Sequence, residues 1–484
     1  MIHRTDYVGK IKKEDIGREV VVAGWIQKVK ALGQITFAYL RDISGIIQVT
    51  AVKGECSDDV FYTLSSVVRE SVVAVKGKVV SSEQKNADVE IFPIDIDILS
   101  VANAPLPLGV ADKVNSDLDT RLDSRFLDLR RPEVNAVFKI RSCVGESVRK
   151  TLADNGFMEV STPKIVAAAT EGGTNLFPIK YFDKEAYMNQ SPQLFKQMLM
   201  GAGMDRVFEI GPAFRMEKHA TPRHINEFTS IDIEMSFSDD EDAMHMLELV
   251  IRNAVKYVVE KCPEELNSMK DLVKRINNVI ESDNVQIRKE NKKIKAENKG
   301  RRKQGLEEKP LLPLIESIEF TFPEVPDVPF PRITYSEALD IANEALETKI
   351  EWGEDLSMEA TRVLAAKYPG LYFIKDWPAS IKPFYAMPHE DDNTLTRSFD
   401  LMFAEKEITS GAQRIHDVNM LERSLRNKGL NPEDFEFYLN AFRYGMPPHG
   451  GWGLGMERLM LMITGLNNIR ECVLFPRDRW RLMP

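Results

Sequence analysis

Three short stretches far apart in the chain carry charged side chains whose chemistry makes sense only in combination. They are Arg215 in GPAFRMEKHATPRHINEF, Glu407 and Arg414 in EKEITSGAQR, and Arg458 in GGWGLGMERL. Two arginines with a carboxylate between them in sequence suit a site that grips a nucleoside triphosphate and one magnesium ion. Phosphoryl and nucleotidyl transfer need positioning and charge stabilisation more than a protein nucleophile. No G-x-x-x-x-G-K-[ST] occurs in the chain, and a G-x-G begun at Gly451 meets Met456 where a dinucleotide loop needs its third glycine. Glycines 450, 451, 453 and 455 instead suit a strand-to-helix junction where backbone approaches a ligand closely. Arg458 then falls in the first turn of an apolar helix, where a lone arginine is more often structural.

Arg215 and Glu217 are two apart, so on a strand they share a face. An arginine fork can take a phosphate, and a neighbouring carboxylate can take a metal or an exocyclic amine. Arg223 and His224, beside Pro222, add donors, and Phe228 can stack on a base. A surface hairpin with ion pairs would explain the same residues. His219 and His224 lack the companions that a zinc site needs. A second set, Glu171, Gln193, Lys196, Asp232 and Arg414, supplies both charge signs. A zwitterionic amino acid requires both, although scattered surface charges would read alike.

The elements that must position these groups follow from pattern and composition. At 484 residues, with 43% hydrophobic residues, the chain has material for two to four domains. Mean hydropathy of -0.27 and the absence of a long apolar run argue against a membrane span, and MIHRTDYVGKIKKED lacks a signal-peptide core. A cytoplasmic protein is expected. The four cysteines show neither metal-ligand nor redox spacing and read as ordinary thiols. The net charge of -10 leaves room for a basic face.

Residues 19–100 read as five short strands between polar turns, which fits a small closed OB-fold barrel, a common oligonucleotide binder. Residues 1–103 are therefore expected to form this module, and 104–132, opened by the proline-containing ANAPLPLG, a linker. From 133 to 484 amphipathic helices alternate with strands, predicting an α+β domain of antiparallel sheet flanked by helices. A charged insertion at about 267–312, with the basic run RKENKKIKAENKGRRKQGLEEK, reads as a solvated helix or disordered segment, the mobile loop being preferred.

The pieces RLDSRFLDLRRPEV, ATEGG, QSPQLFKQ, FRMEKHATPRHINEF, SGAQRIHD, FRYGMPPHGGWGLGMER and LFPRDRWRLMP, in this order, resemble the class II aminoacyl-tRNA synthetases. More narrowly, they are similar to the aspartyl-tRNA synthetases of archaeal and eukaryotic type, over nearly the whole chain. The resemblance implies activation of L-aspartate by ATP with Mg²⁺, then transfer to tRNA(Asp). It implies that Arg215 contacts the α-phosphate and the amino-acid carboxylate, and that Glu217 and Phe228 hold adenine. Arg223, His224 and Arg458 would meet the outer phosphates, with Gly455, Met456 and Glu457 completing the ATP site. Asp400 and Glu407 would hold magnesium. Glu171, Gln193, Lys196, Arg215, Asp232, Ser410 and Arg414 would bind aspartate.

Asparagine enzymes of the family carry an apolar residue where Lys196 stands. A buried lysine facing a neutral amide loses its partner, so Lys196 implies aspartate and also disfavours lysine as substrate. Phe37, Gln48 and Glu90 would read the anticodon. Gln27 implies rejection of tRNA for asparagine, with a non-discriminating enzyme as the alternative, the determinant near Asn86 not being clearly matched. The helix before Pro163 resembles a dimer element, so a homodimer is expected. A non-catalytic tRNA-binding paralogue is the reading from another class, and intact Arg215, Glu407 and Arg458 argue against it.

Overall fold

The computed structural model describes residues 3–83, 87–111, 115–167, 176–218 and 221–483. The chain forms two compact units: Met1–Ser116 with Phe126–Arg131, and Asp117–Arg125 with Pro132–Pro484. The stretch expected to be a linker is thus shared, its residues 126–131 returning to the first unit.

In the first unit, β1 (Glu19–Leu32), β2 (Ile35–Asp42), β3 (Gly45–Val52), β4 (Val72–Ser81) and β5 (Val89–Ser100) close a barrel in the order β1-β2-β3-β5-β4. Period-two alternation drives the closure: Val20, Val22 and Ile26 of β1 meet Ala38, Leu40, Val49, Val75 and Ile91 in the interior. Helix α1 (Asp58–Ser66), capped by the Ser57 hydroxyl accepting from the Val60 amide, adds Phe61 and Leu64 to this core. The buried Glu70 carboxylate accepts from both Arg41 terminal nitrogens, at 3.1 and 2.7 Å, and from Arg130 at 3.0 Å.

The second unit is built on an eight-stranded sheet. Its strands are β6 (Met158–Glu159), β7 (Arg206–Phe214), β8 (Glu227–Ser236), β9 (Arg332–Thr334), β10 (Leu371–Lys375), β11 (Ser398–Phe403), β12 (Lys406–Arg414) and β13 (His449–Gly455), in the order β9-β10-β11-β12-β13-β8-β7-β6. The central pairs are antiparallel, while β9–β10 and β7–β6 at the edges are parallel. The glycines of β13 are a packing requirement. A Cβ on Gly451 would lie 2.2 Å from the Ile233 carbonyl oxygen, and one on Gly453 would lie 3.0 Å from Asp232 Oδ1. Helices α2 (Pro132–Asp154), α3 (Gln193–Gly201), α4 (Asp240–Lys261) and α6 (Met456–Thr464) pack around the sheet, with α5 (Pro263–Lys303) following α4 directly.

The charged insertion departs from the expected mobile loop. It is the outer part of the 41-residue α5, whose inner turns bury Leu266, Met269, Leu272, Val273 and Ile280, in part against α2. Beyond these, asparagines repeat every seven residues at 277, 284, 291 and 298. Each side-chain amide pairs with one residue of the returning chain, donating to its carbonyl and accepting from its amide. The partners are Ile318, Ile315, Leu312 and Lys309, with all eight bonds at 2.8 or 2.9 Å. Seven helical residues rise about 10.5 Å, and three extended residues cover about 9–10 Å. One heptad on the helix therefore keeps step with one triplet on the return segment. The ladder replaces the apolar contacts that the composition lacks.

The four cysteines are free thiols, as expected, but two of them meet. Cys143 on α2 and Cys262 after α4, 119 positions apart, place their sulfurs 2.8 Å from each other. Burial first, and then the neighbouring Cys143 thiol, push the Cys262 thiol up to about 12, so it remains protonated.

Candidate active site

The central strands β8, β12 and β13 turn polar side chains toward a cavity of about 310 Å³ that opens to solvent. It gathers Arg215, Glu217, Arg223, His224 and Phe228 from the segment between β7 and β8 and the start of β8. Glu407, Ser410 and Arg414 come from β12, Gln193 from α3, Asp232 from β8, and Gly455, Glu457 and Arg458 from the β13–α6 junction. Residues separated by more than 260 positions thus line one space.

Arg215 and Glu217 do not lie on a strand as the spacing suggested. Strand β7 ends at Phe214, and both residues follow in irregular chain held by bonds from Arg215 N to Asn226 O and from Glu217 N to Arg215 O. The Arg215 guanidinium lies 5.4 Å from the centre of the Phe228 ring, so cation and aromatic face are presented together. Arg223 stands 3.7 Å from Glu405, and His224 Nδ1 is 2.7 Å from the Thr221 hydroxyl. Arg458, in the first turn of α6, donates to the Glu407 carbonyl at 2.9 Å and its carboxylate at 3.2 Å. Both side chains are partly solvent-exposed, so this pair contributes little to stability and can exchange for a ligand.

Two residues expected at the nucleotide have other surroundings. Met456 is buried among the helices, its methyl beside Gly145 of α2, and does not line the cavity. Glu457 borders the cavity, but its carboxylate accepts from Arg141 at 2.7 Å and from the Thr229 amide at 3.1 Å. It fastens α6 to α2 and β8. The helix period explains both: positions one and two of α6 turn inward, and position three, Arg458, turns out.

At and just beneath the cavity wall, which Asp232 and Arg414 line but Lys196 and Glu234 do not, four charges are buried together. Lys196 on α3, only 2% exposed, donates to Asp232 at 2.9 Å and to the Trp452 carbonyl at 3.2 Å, with Glu234 at 3.5 Å. Arg414 donates through Nε to Glu234 at 2.9 Å and through Nη2 to Gln193 at 3.3 Å. Glu234 was not among the expected site residues, although Asp232 and Glu234 stand two apart on β8 and so share a face. Burial works against the Glu234 charge, but Arg414 and then Lys196 outweigh it and hold its carboxyl below the usual range. The two cations are thus not isolated receptors for a carboxylate, since each already has a protein partner. What remains for a ligand is specific. Arg414 Nη1 makes no hydrogen bond among the described residues, and the buried Gln193 Nε2 is without a partner, whereas Lys196 is surrounded by three protein acceptors. Glu171 lies outside the described residues.

Asp400 is set slightly apart, lining with Glu407 and Arg458 a neighbouring cavity. Both its oxygens accept from Lys382 Nζ, at 2.6 and 2.8 Å. Its carboxyl is raised, first by burial and further by the charge of Glu407, with Lys382 opposing. Asp400 and Glu407 are oxygen donors of the kind a hard divalent cation takes, but here Lys382 holds both Asp400 oxygens and Arg458 holds the Glu407 carboxylate. No cluster of three or more acidic, His or Cys side chains occurs among the described residues. The set therefore suits an ion that takes its other oxygens from substrate and water.

In the barrel, Phe37, Gln48 and Glu90 lie on the outer face of β2, β3 and β5, because Ala38, Val49 and Ile91 point inward. Phe37 is half-buried opposite Thr50. Gln48 Nε2 donates to Glu90 at 2.6 Å and to Thr50 at 3.0 Å, engaging both amide donors. Gln27 sits in a β-bulge between Ile26 and Lys28, and Asn86 is outside the described residues.

The chain is 49% identical over 481 residues to an aspartate–tRNA(Asp/Asn) ligase of Methanocaldococcus jannaschii, covering 99% of this chain and 98% of that protein. An enzyme of the same name from Archaeoglobus fulgidus is 49% identical over 478 residues, covering 99% of each. The asparaginyl-tRNA synthetase of Pyrococcus horikoshii, solved with asparaginyl-adenylate, superposes with a TM-score of 0.83 at 30% identity, covering 100% of both chains. Residues 20–99 match the OB-fold nucleic acid binding domain, and residues 117–479 match the tRNA synthetases class II (D, K and N). The chain belongs to the class II tRNA synthetases, in the group that serves aspartate, lysine and asparagine.

Proposed function

We propose that the protein is an aspartate–tRNA ligase that forms aspartyl-adenylate from L-aspartate and ATP and transfers the aspartyl group to the 3′ end of tRNA(Asp). The names of the full-length relatives favour the non-discriminating alternative, in which tRNA(Asn) is charged as well. The observation that supports the choice of amino acid is Lys196, whose charge lies buried just beneath the cavity, held by Asp232, the Trp452 carbonyl and Glu234. A side-chain carboxylate can accept from Arg414 Nη1 at the cavity wall, with the Lys196 charge behind it.

In the first step the aspartate α-carboxylate attacks the α-phosphorus of ATP, and pyrophosphate leaves in line. Arg215 balances the charge on the α-phosphate, Phe228 stacks on adenine, and Arg458 releases Glu407 to take the terminal phosphate. Glu407, with Asp400, would hold Mg²⁺, which supplies charge neutralisation at the phosphates. In the second step a hydroxyl of the terminal tRNA ribose attacks the carbonyl carbon, and AMP leaves. The outer barrel face, with Phe37 for stacking and Glu90 and Gln48 for base edges, suits single-stranded anticodon nucleotides.

Similarity to the Pyrococcus enzyme supports a second reading, an asparagine ligase. ATP–pyrophosphate exchange with each amino acid separates the two. Exchange with aspartate is expected; exchange with asparagine alone overturns the proposal. Charging of tRNA(Asp) and tRNA(Asn) transcripts side by side then decides discrimination.

A further inference from the structure

The outer part of α5 belongs to neither the cavity nor the barrel, and its charge is concentrated on one flank. Residues 288–303 contain nine lysines and arginines against two glutamates, in a chain whose net charge is -10. Arg288, Lys292, Lys295, Lys299 and Lys303 are spaced by four, three, four and four residues, which places them on one helical stripe. The stripe is about 22 Å long at helical rise. It runs beside the asparagine ladder, and all five side chains are solvent-exposed.

The acidic residues lie on the opposite flank and are occupied there. Glu290 pairs with Lys293 at 2.9 Å, and Glu297 with Lys309 at 2.7 Å. Arg288 pairs with Glu281 at 2.7 Å, but Lys292, Lys295, Lys299 and Lys303 have no ion-pair partner among the described residues. A solvated helix normally interleaves its charges to pair them; here the sorting is partial, with the unpaired lysines gathered on one stripe and Lys293 and Arg301 on the acidic flank. The ladder gives the sorting a physical use. Its eight bonds hold the return segment against the helix, so the stripe keeps a fixed line instead of collapsing onto acidic surface.

We propose that the α5 arm binds the phosphate backbone of tRNA through the Lys292–Lys295–Lys299–Lys303 stripe. The proposal rests on the ligase reading only for the identity of the RNA. A regular row of ammonium groups matches a polyanion of repeating charge, and although the return segment exposes Leu311, Leu312, Leu314 and Ile315, the outer helix itself lacks the continuous apolar face that an interfacial helix inserts into a bilayer.

The test compares the wild-type chain with a variant carrying Lys292→Gln, Lys295→Gln, Lys299→Gln and Lys303→Gln. Glutamine retains helix propensity while removing charge. Binding of an unmodified transcript with the aspartate anticodon is measured by fluorescence anisotropy over a salt series. The expected result is at least tenfold weaker binding at low salt and a log Kd–log salt slope reduced by about 3. Aspartate-dependent ATP–pyrophosphate exchange should be unchanged. Deletion of 288–309 should reproduce the binding loss, which covers a variant that loses helicity. A slope within about one unit of wild type in both variants overturns the proposal. So does an equal loss from Lys289→Gln with Lys293→Gln, which lie off the stripe. Stripe-dependent binding to phosphatidylserine vesicles with unchanged tRNA affinity would reassign the arm to membranes and also overturn it. If the wild type fails in exchange yet shows the stripe-dependent tRNA slope, the ligase reading falls and the arm proposal stands.

Discussion

Lys196 illustrates how a buried ion network can be both structure and specificity. It pairs with Asp232 and shares Glu234 with Arg414, so two cations and two carboxylates neutralise one another beneath the cavity. Removing one member of such a set leaves its partners uncompensated, at a cost of about 3–5 kcal/mol. Lys196→Leu is therefore expected to lower the thermal midpoint as well as aspartate affinity. Loss of the charge behind the substrate carboxylate, about 1.5–3 kcal/mol as for a charge-assisted hydrogen bond, corresponds to roughly a 10- to 100-fold rise in the aspartate KM. The ATP KM should change much less, because the nucleotide side of the cavity is built from other segments. Exchange kinetics with aspartate and ATP varied separately check this, and equal changes in both constants would remove Lys196 from the side-chain pocket. The residue types in this network were legible in sequence apart from Glu234. Their pairing was not, because Lys196 meets the Trp452 carbonyl across 256 positions.

At the scale of elements, α5 shows where composition misleads. A segment rich in lysine and nearly without apolar residues ordinarily lacks the burial needed to offset chain entropy. Here the asparagine heptad supplies two backbone-directed bonds per rung, each worth on the order of 1 kcal/mol net. The helix and its return segment thus order each other. The repeat at 277, 284, 291 and 298 was visible in the sequence, but its meaning depends on a partner that rises a triplet for every heptad. The buried apolar residues of α5 end at Ile280, so deleting 288–309 removes only the two outer rungs, Asn291 and Asn298. Aspartate-dependent exchange should stay within about twofold of wild type, as expected for surface changes of about 0.5 kcal/mol or less. A large loss in that assay would mean that the arm supports the sheet.

For the whole molecule, the ionisation of buried groups sets how folding responds to acid. His449, at the start of β13, has its pKa lowered to about 4 from 6.5 by burial, with the Glu234 charge opposing. Between those values the unfolded chain takes a proton that the folded chain refuses, so stability falls as pH drops from about 6.5 to about 4. The full shift corresponds to about 3 kcal/mol. Urea unfolding between pH 7 and 5 should show this slope, and His449→Gln should flatten it; parallel curves for the two proteins would refute the assignment. The sequence by itself determined the barrel, the α+β class and most of the cavity-lining residues, because period-two alternation, helix periodicity and local motifs are short-range signals. Only the tertiary structure decided that Met456 is buried away from the cavity, that the Glu457 carboxylate is held by Arg141, that Asp400 is held by Lys382, that Cys143 meets Cys262, and that the basic insertion stands as a helix. Each of these depends on a contact between distant segments. Propensity and spacing describe what a segment can do alone, whereas burial and pairing are fixed by whichever segment lies opposite.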